Sequence, residues 1–169
     1  MYYFELISFS FPIVISSENG HPCLVAKGTH DGVGVIGKYH SGYDTCYFSF
    51  GGSEHEHSPS DCEVLVDLEL GTGNWESGCH GNLPSGRFCT GVHDGDGSEL
   101  SVIKAEHEGV IIPGKMNPNY GLGYVPWGGE EHEKSEYEVL MDSPGLMWKP
   151  VESGNIPLGA IGKMEDLNI

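Results

Sequence analysis

The sequence has few basic residues, and this scarcity excludes whole classes of partner. Eight Lys and Arg residues stand against 25 Asp and Glu residues, so the formal net charge of the 169-residue chain is -17 at pH 7. Such a charge repels phosphate backbones and anionic lipid surfaces. We therefore expect no nucleic-acid partner and no membrane insertion, whereas a neutral ligand such as a sugar, or a cationic ligand, meets no such repulsion.

Signals for disulfides, metal-binding thiolates and membrane spans are also missing. The five cysteines are odd in number and include no Cys-x-x-Cys pair, which predicts reduced thiols rather than a disulfide framework or a zinc site. No apolar run is long enough to span a membrane. The opening stretch, MYYFELISFSFPIVISS, lacks a basic start and a clear cleavage site, so we interpret it as a strand pair or a tail. We expect a cytoplasmic protein, or one secreted without a recognisable signal peptide.

Helical periodicity is absent from every window of useful length, whereas glycine and proline are abundant. The 26 glycines and 10 prolines favour short strands joined by tight turns. Strand-like segments flank Asp31-Gly32 and Glu108-Gly109, which suit tight hairpins because glycine tolerates positive φ. These features predict an all-β fold with almost no helix.

The chain contains an internal repeat. Of the 41 positions from 17 to 57, 15 are identical to the residue found 77 positions later, which indicates a duplication. A shorter element that begins with Trp75 recurs at Trp148, an offset of 73. The order along the chain is a body (17–66), a leader (74–91), a second body (94–141) and a second leader (148–162).

We predict that residues 1–169 form a single domain of two similar antiparallel β units, packed about a pseudo-twofold axis. The second repeat takes its leader and body from residues 74–141. No leader precedes the first body, 17–66, so we infer that the C-terminal leader, 148–162, returns to complete it. If that leader completes a neighbouring molecule instead, the result is a homodimer formed by strand exchange.

One stretch carries a resemblance to a known family. The string GVIIPGKMNPNYGLGYVPWGGEEHEKSEYEVL, preceded by GNLPSGRFCTGVHDGDG, combines a Trp-led GNxPxG segment with DxDG, PGK, YVPWGG and YEVL motifs. In this combination the chain resembles the DM-nine repeat family, most strongly from Trp75 to Leu140. Two-repeat members bind mannose and high-mannose glycans. The resemblance therefore implies a non-enzymatic lectin for mannose-containing glycans, without a cofactor, that serves innate immune recognition of microbes.

The resemblance also implies a sugar site. The family's sugar contacts correspond to Asp94 of DxDG and Lys115 of PGK. A carboxylate accepts two O–H bonds from neighbouring sugar hydroxyls and an ammonium donates to them, so no metal is required. The first repeat keeps Lys38 but has Ser17 in place of the aspartate. Lys38 and the adjacent Glu18 are therefore expected to form a weaker second site, or a silent one.

Two other functions compete with the lectin hypothesis. The runs SEHEH at 53–57 and EEHEK at 130–134 invite a metal site, but His57 becomes Lys134 in the second copy, which favours a solvated acidic loop. A scaffold or cytoskeletal assembly protein is the main alternative, since duplicated β units with exposed edges can self-associate. No repeated Cys and His constellation suggests a hydrolase, so we predict no catalytic residue.

Overall fold

The computed structural model describes residues 11–18, 20–69 and 73–151, and the regular structure in these ranges is almost entirely antiparallel strand. The strands are β1 (Phe11–Pro12), β2 (Val14–Glu18), β3 (His21–His30), β4 (Val33–His40), β5 (Thr45–Phe50), β6 (Ser53–His57), β7 (Glu63–Asp67), β8 (Trp75–Cys79), β9 (Ser101–His107), β10 (Val110–Met116), β11 (Gly123–Trp127), β12 (Glu130–Lys134), β13 (Glu136–Leu140) and β14 (Leu146–Pro150). One 3-10 turn spans Pro59–Asp61. The prediction of an all-β chain is confirmed, and no helix in the described ranges is long and apolar enough to cross a membrane.

Each repeat is built on the hairpin that its turn dipeptide predicts. Strands β3 and β4 meet at Asp31 and Gly32, whose φ angles are 49° and 77°. Strands β9 and β10 meet at Glu108 and Gly109, whose φ angles are 50° and 81°. Two consecutive residues with positive φ give the turn a twist that matches the right-handed twist of the flanking strands. The duplicated sequence therefore produces duplicated local structure.

The two repeats join edge to edge in one sheet. Strands β7, β3, β4, β5 and β6 lie in that order and continue into β12, β11, β10, β9 and β13. At the join, the Glu54 N–H donates to the Gly129 carbonyl at 2.9 Å, and the Glu131 N–H donates to the Gly52 carbonyl at 3.0 Å. Each repeat thus gives and receives the same bond. This reciprocal join, which we call the seam, bears out the predicted pseudo-twofold arrangement.

The sheet also folds back so that the repeats pack face to face. Strand β4 packs against β10, and the central hydrophobic cluster draws on both repeats, including Val25 and Ile36 from the first and Val102 from the second. These side chains are almost fully buried, and burying each one stabilises the fold by roughly 1.5–3 kcal/mol. Each repeat has a further cluster of its own. The shared core fixes the relative position of the two repeats.

Both Trp-led leaders begin as strands. Strand β8 pairs with β13, with Trp75 opposite Leu140, and β14 pairs with β7 of the same chain, with Trp148 opposite Leu65. The first strand of the C-terminal leader therefore lies beside the last strand of the first body. Most of that leader lies outside the described residues, so the proposed division of the chain stays a prediction.

The two acidic and histidine-rich runs are strands, and the interpretation of a solvated loop is wrong. SEHEH forms β6 beside β5, and EEHEK forms β12 beside β11. Alternate residues of a strand face opposite sides. Glu54 therefore faces Lys38, whereas His55 stacks on His30 with ring centroids 3.9 Å apart. Glu54 and Glu131 suit these strands because each faces a buried lysine.

Candidate functional site

A polar cavity of about 550 Å³ opens where the second repeat meets the Gly51-Gly52 turn of the first. The structure brings both predicted sugar contacts, Asp94 and Lys115, into this one cavity. Its lining also includes the polar side chains of Asp96, Asn117, Tyr120, Tyr124, Glu131 and Glu133. The cavity therefore offers hydrogen-bond acceptors around a single ammonium group.

Lys115 lies in β10, and its side chain reaches across to the first repeat. It is only 9% exposed, and its Nζ donates to the Ser49 carbonyl at 2.6 Å and lies 3.6 Å from Glu131 Oε2. The Phe50 ring lies 5.5 Å from the same nitrogen. Burial lowers the pKa of Lys115, while the Glu131 and Asp94 carboxylates oppose that lowering. The ammonium is thus held at a fixed point by groups from both repeats.

The glycine of the PGK motif allows β10 and β11 to approach each other here. A Cβ at Gly114 would lie 2.1 Å from the Tyr124 carbonyl oxygen, and one at Gly37 would lie 2.2 Å from the Tyr47 oxygen. No side chain fits in that space. Both lysines therefore follow a residue that must lack a side chain.

Asp94 belongs to a loop that is fixed by its own hydrogen bonds. Its Oδ1 accepts from the Gly95 N–H at 2.7 Å, and its Oδ2 accepts from Asn117 Nδ2 at 2.9 Å. The buried Asn117 amide also lies 3.1 Å from Asp96 Oδ2. These bonds orient the Asp94 carboxylate toward the cavity and leave it further acceptor capacity.

Asp96 acts mainly within this loop. It accepts from the Ser98 N–H at 2.9 Å and from Asn119 Nδ2 at 3.1 Å. These hydrogen bonds, the Ser98 backbone first, lower the pKa of Asp96 to about 2. Asp96 thus makes the local backbone contacts of a turn residue while its edge lines the cavity.

The first repeat has a smaller cavity, of about 290 Å³, around Lys38. Lys38 Nζ lies 3.9 Å from Glu54 Oε2. Ser17, the counterpart of Asp94, does not line this cavity, and the side chain of Glu18 lies outside the described part of the chain. The pairing of Lys38 with Glu18 therefore stays a prediction.

Sequence reasoning missed the residues that each cavity takes from the other repeat. Ser49 and Phe50 contact Lys115, and Trp127 contacts Lys38, with its ring centroid 4.8 Å from Nζ. Glu54 and Glu131, which belong to the same repeat as the lysines that they face, did leave a signal, because they are identical at the repeat offset. The cross-repeat contacts themselves depend on a seam that the repeat offset does not reveal.

The histidines that suggested a metal site contact one another on the opposite side of the sheet. His30 Nδ1 lies 3.0 Å from His57 Nε2, and in the second repeat Lys134 Nζ lies 3.0 Å from His107 Nδ1. Across residues 11–18, 20–69 and 73–151, no group of three or more His, Cys, Asp or Glu side chains is placed to hold a metal ion. The five cysteines all lie in the described ranges and form no disulfide bond there, and two of them are exposed.

The fold and the cavities define a duplicated antiparallel β protein in which the equivalent lysines, Lys38 and Lys115, each line a cavity. The model of the DM9 repeat matches residues 17–96 and 94–163, and the chain belongs to the DM9 repeat family. Both the family and its two repeats are as the motifs predict.

Among solved structures, the nematode sperm cell motility protein MFP2B is similar, with a TM-score of 0.55 and 17% identity. The match covers 80% of this chain and 43% of that protein, so the chain spans less than half of its length. A likeness at this identity shows a shared fold. No curated protein sequence matches the chain.

Proposed function

We propose that the chain is a non-enzymatic lectin that binds mannose-containing glycans at Asp94 and Lys115, without a metal, in the innate immune recognition of microbes. The observation that carries this proposal is the shared cavity, in which an oriented carboxylate and a buried ammonium face the same space. Membership of the DM9 repeat family supports the same function. The protein would act in the cytoplasm, or outside the cell after export without a recognisable signal peptide.

The donors and acceptors of the cavity suit a pair of neighbouring sugar hydroxyls. Each Asp94 oxygen already accepts one hydrogen bond and has a second lone pair for an O–H donor. Lys115 directs one N–H to Ser49 and lies close to Glu131, which leaves an ammonium proton for a hydroxyl oxygen. Tyr120 stands at the rim, 53% exposed, where its ring can cover the apolar face of a pyranose.

A site of this size binds one monosaccharide weakly. A dissociation constant on the order of millimolar corresponds to only about 4 kcal/mol. Firm attachment to a glycan-covered particle then requires several sites acting together, which a homodimer or a second site in the chain would supply.

The direct test is Asp94→Asn, which removes the charge and preserves the side-chain shape. Loss of a charge-assisted hydrogen bond weakens binding by about 1.5–3 kcal/mol, so mannose affinity should fall at least tenfold in calorimetric titration. Asp31→Asn, the same change at a turn residue whose side chain is 81% exposed, is the control. Unchanged affinity in Asp94→Asn would remove this residue from the site.

Lys115→Met and a chelator complete the test. Lys115→Met should also lose its affinity for mannose. The stability of this variant must be measured too, because the substitution leaves the Ser49 carbonyl and the Glu131 carboxylate without the ammonium. Wild-type binding on a glycan array should be the same with and without the chelator. Loss of binding in chelator would contradict a metal-free site.

A second candidate function is assembly, by analogy with the motility protein that shares this fold. Strand β8 ends the strand order, and its outer edge pairs with no other described strand, so it could accept a strand from another molecule. Light scattering without sugar, at rising protein concentration, tests this function. A strictly monomeric chain would contradict it.

A further inference from the structure

Two cysteines of the first repeat are buried together, at positions where the second repeat has no cysteine. Cys46 lies in β5 and Cys62 immediately precedes β7, and both belong to the same hydrophobic cluster. We propose that Cys46 and Cys62 form a reversible disulfide when the protein meets hydrogen peroxide or a small disulfide such as glutathione disulfide. The proposal does not depend on sugar binding.

The first observation is the contact between the two side chains. Cys46 is fully buried and Cys62 is only 5% exposed, and a hydrogen bond joins their thiols. The Cys62 N–H donates to the Pro59 carbonyl at 3.1 Å, and the Cys62 thiol lies 3.4 Å from the Ser58 carbonyl, so this residue is fixed from the other side as well. Two sulfurs within hydrogen-bonding distance can form a bond without the backbone movement that distant cysteines require.

The second observation is the arrangement at the same positions in the other repeat. Gly123 and Tyr137 stand where the first repeat has Cys46 and Cys62. A Cβ at Gly123 would lie 3.4 Å from the Tyr137 ring, so these two positions also face each other in the second repeat. One large ring beside a glycine fills the space there, whereas two thiols fill it in the first repeat. The geometry of the pair therefore belongs to the repeat, and only the first copy carries the sulfur chemistry.

The chemistry gives each sulfur its own role. Cys62 is the more exposed of the two, so its thiolate attacks one oxygen of the peroxide. The O–O bond breaks, Cys62 becomes a sulfenic acid, and the other oxygen leaves as water with the proton that the thiol has lost. Cys46 then attacks the Cys62 sulfur, the S–O bond breaks, and the hydroxyl leaves with the Cys46 proton as a second water. The two thiols lose two electrons and two protons, which the peroxide accepts.

Glutathione disulfide gives the same product by exchange. The Cys62 thiolate attacks one of its sulfurs and releases one glutathione, and Cys46 then displaces the second. Hydrogen bonding to Cys62, followed by burial, raises the pKa of the Cys46 thiol. Because only the thiolate is a good nucleophile, closure of the disulfide should be slow at neutral pH and faster as the pH rises.

The disulfide closes a loop that contains the seam. The chain between the two cysteines includes the Gly51-Gly52 turn and β6, together with the end of β5. It therefore carries the Ser49 carbonyl, which accepts from Lys115, and the Glu54 N–H, which bonds across the seam. Closing a loop of roughly 15 residues restricts the unfolded chain and so stabilises the folded one. Oxidation thus strengthens the hairpin that joins the two repeats.

The experiment first removes the exposed thiols, which could bridge two molecules, by using the full-length chain with Cys79→Ser and Cys89→Ser. The protein is treated with hydrogen peroxide or glutathione disulfide, and the remaining thiols are alkylated. It is then cut after its glutamates, which include Glu54 and Glu56 between the two cysteines.

Mass spectrometry should find two peptides joined through Cys46 and Cys62, and dithiothreitol should separate them. Complete alkylation of both cysteines after prolonged treatment would overturn the proposal. A disulfide from either of them to Cys23 would overturn it as well.

Stability supplies the second readout, measured with glutathione disulfide because peroxide also oxidises methionine. Oxidation should raise the melting temperature by about 5–10 °C, as expected for a loop of this length in a chain of this size. Cys46→Ala is the matched control, since the second repeat has a glycine at this position, and its melting temperature should not change. An equal rise in Cys46→Ala, or no rise in a parent protein that contains the disulfide, would overturn the proposed role.

Hydrogen exchange keeps the proposal testable if Cys46→Ala does not fold. In the parent protein, oxidation should slow amide exchange in β6, which lies inside the closed loop. Strand β8, at the far end of the strand order, should exchange at the same rate in both states. Unchanged exchange in β6 would show that the disulfide does not stabilise the seam.

Discussion

At the scale of single residues, equivalent lysines in the two repeats have different surroundings. Both are almost fully buried, and each lies close to a glutamate of the next β hairpin in its own repeat. Lys115 also donates to the Ser49 carbonyl, whereas Lys38 faces the larger ring of Trp127. Because a buried ammonium must be compensated by partners, these differences determine how much of each group remains for a ligand. Identical residues at one repeat offset therefore do not imply identical sites.

The glycine before Lys115 provides a test of the local packing. Gly114→Ala places a Cβ against the Tyr124 carbonyl, so β10 and β11 must separate, at a cost of about 1–3 kcal/mol in the free energy of unfolding. Gly95→Ala is the matched control, since its Cβ would approach no atom closer than 3.8 Å. Urea denaturation followed by circular dichroism measures both variants. Similar denaturation midpoints for the two would contradict the close approach at Gly114.

At the scale of elements, the sequence predicts those strands and turns whose formation depends only on residues close together in the chain. The turn dipeptides indicated both hairpins, because two positive φ angles are a local requirement. The strands β6 and β12 were missed because their charged residues do not form a buried apolar face. The seam between them joins Glu130 to Ser53, and no local pattern indicates a contact over so long a separation. Asp94 and Lys115 could be named from motifs, whereas Ser49 and Phe50 could not, because they reach Lys115 only across the seam.

Strand β14 provides the test at this scale. The Trp148 indole donates to the Thr90 carbonyl at 3.0 Å and packs on Phe88, with ring centroids 6.2 Å apart. Lys27 lies 5.1 Å from the same ring. Because the indole is only partly buried, we expect Trp148→Ala to cost about 2–3 kcal/mol in the free energy of unfolding.

The neighbouring residue supplies the control for this strand. Met147 is 40% exposed, so Met147→Ala should cost less than about 0.5 kcal/mol. Thermal unfolding at several protein concentrations measures both variants. A midpoint that rises with concentration would indicate that β14 completes a neighbouring molecule, and equal stabilities would show that β14 contributes little to the fold.

At the scale of the whole molecule, each cavity exists only because the two repeats are joined. The groups around each lysine come from both sides of the seam, and the central core holds the repeats in that relation. A repeat separated from its partner would lose part of its site as well as part of its core. Duplication therefore does more than give a second copy of the repeat, because each copy contributes residues that line the other copy's cavity.

The net charge of -17 makes a further prediction for the whole molecule, about salt. Repulsion among 25 acidic residues opposes the compact state, and salt screens it, since the Debye length falls from about 30 Å at 0.01 M to about 8 Å at 0.15 M. Salt also weakens surface ion pairs such as Lys27–Glu63, at 3.2 Å, but each such pair contributes less than about 1 kcal/mol. With 25 acidic residues and only eight basic ones, like-charge pairs outnumber opposite-charge pairs, so the screening of repulsion should dominate.

We therefore expect the melting temperature to rise by about 2–4 °C over this range of salt at pH 7, which corresponds to about 1 kcal/mol for a chain of this size. Scanning calorimetry in sodium chloride measures the change. Potassium chloride should give the same result, because screening depends on ionic strength, whereas sulfate is avoided because it strengthens apolar burial directly. A melting temperature that falls with added chloride would show that the few ion pairs, which include Lys27–Glu63 and Lys104–Glu138, outweigh the repulsion among the acidic residues.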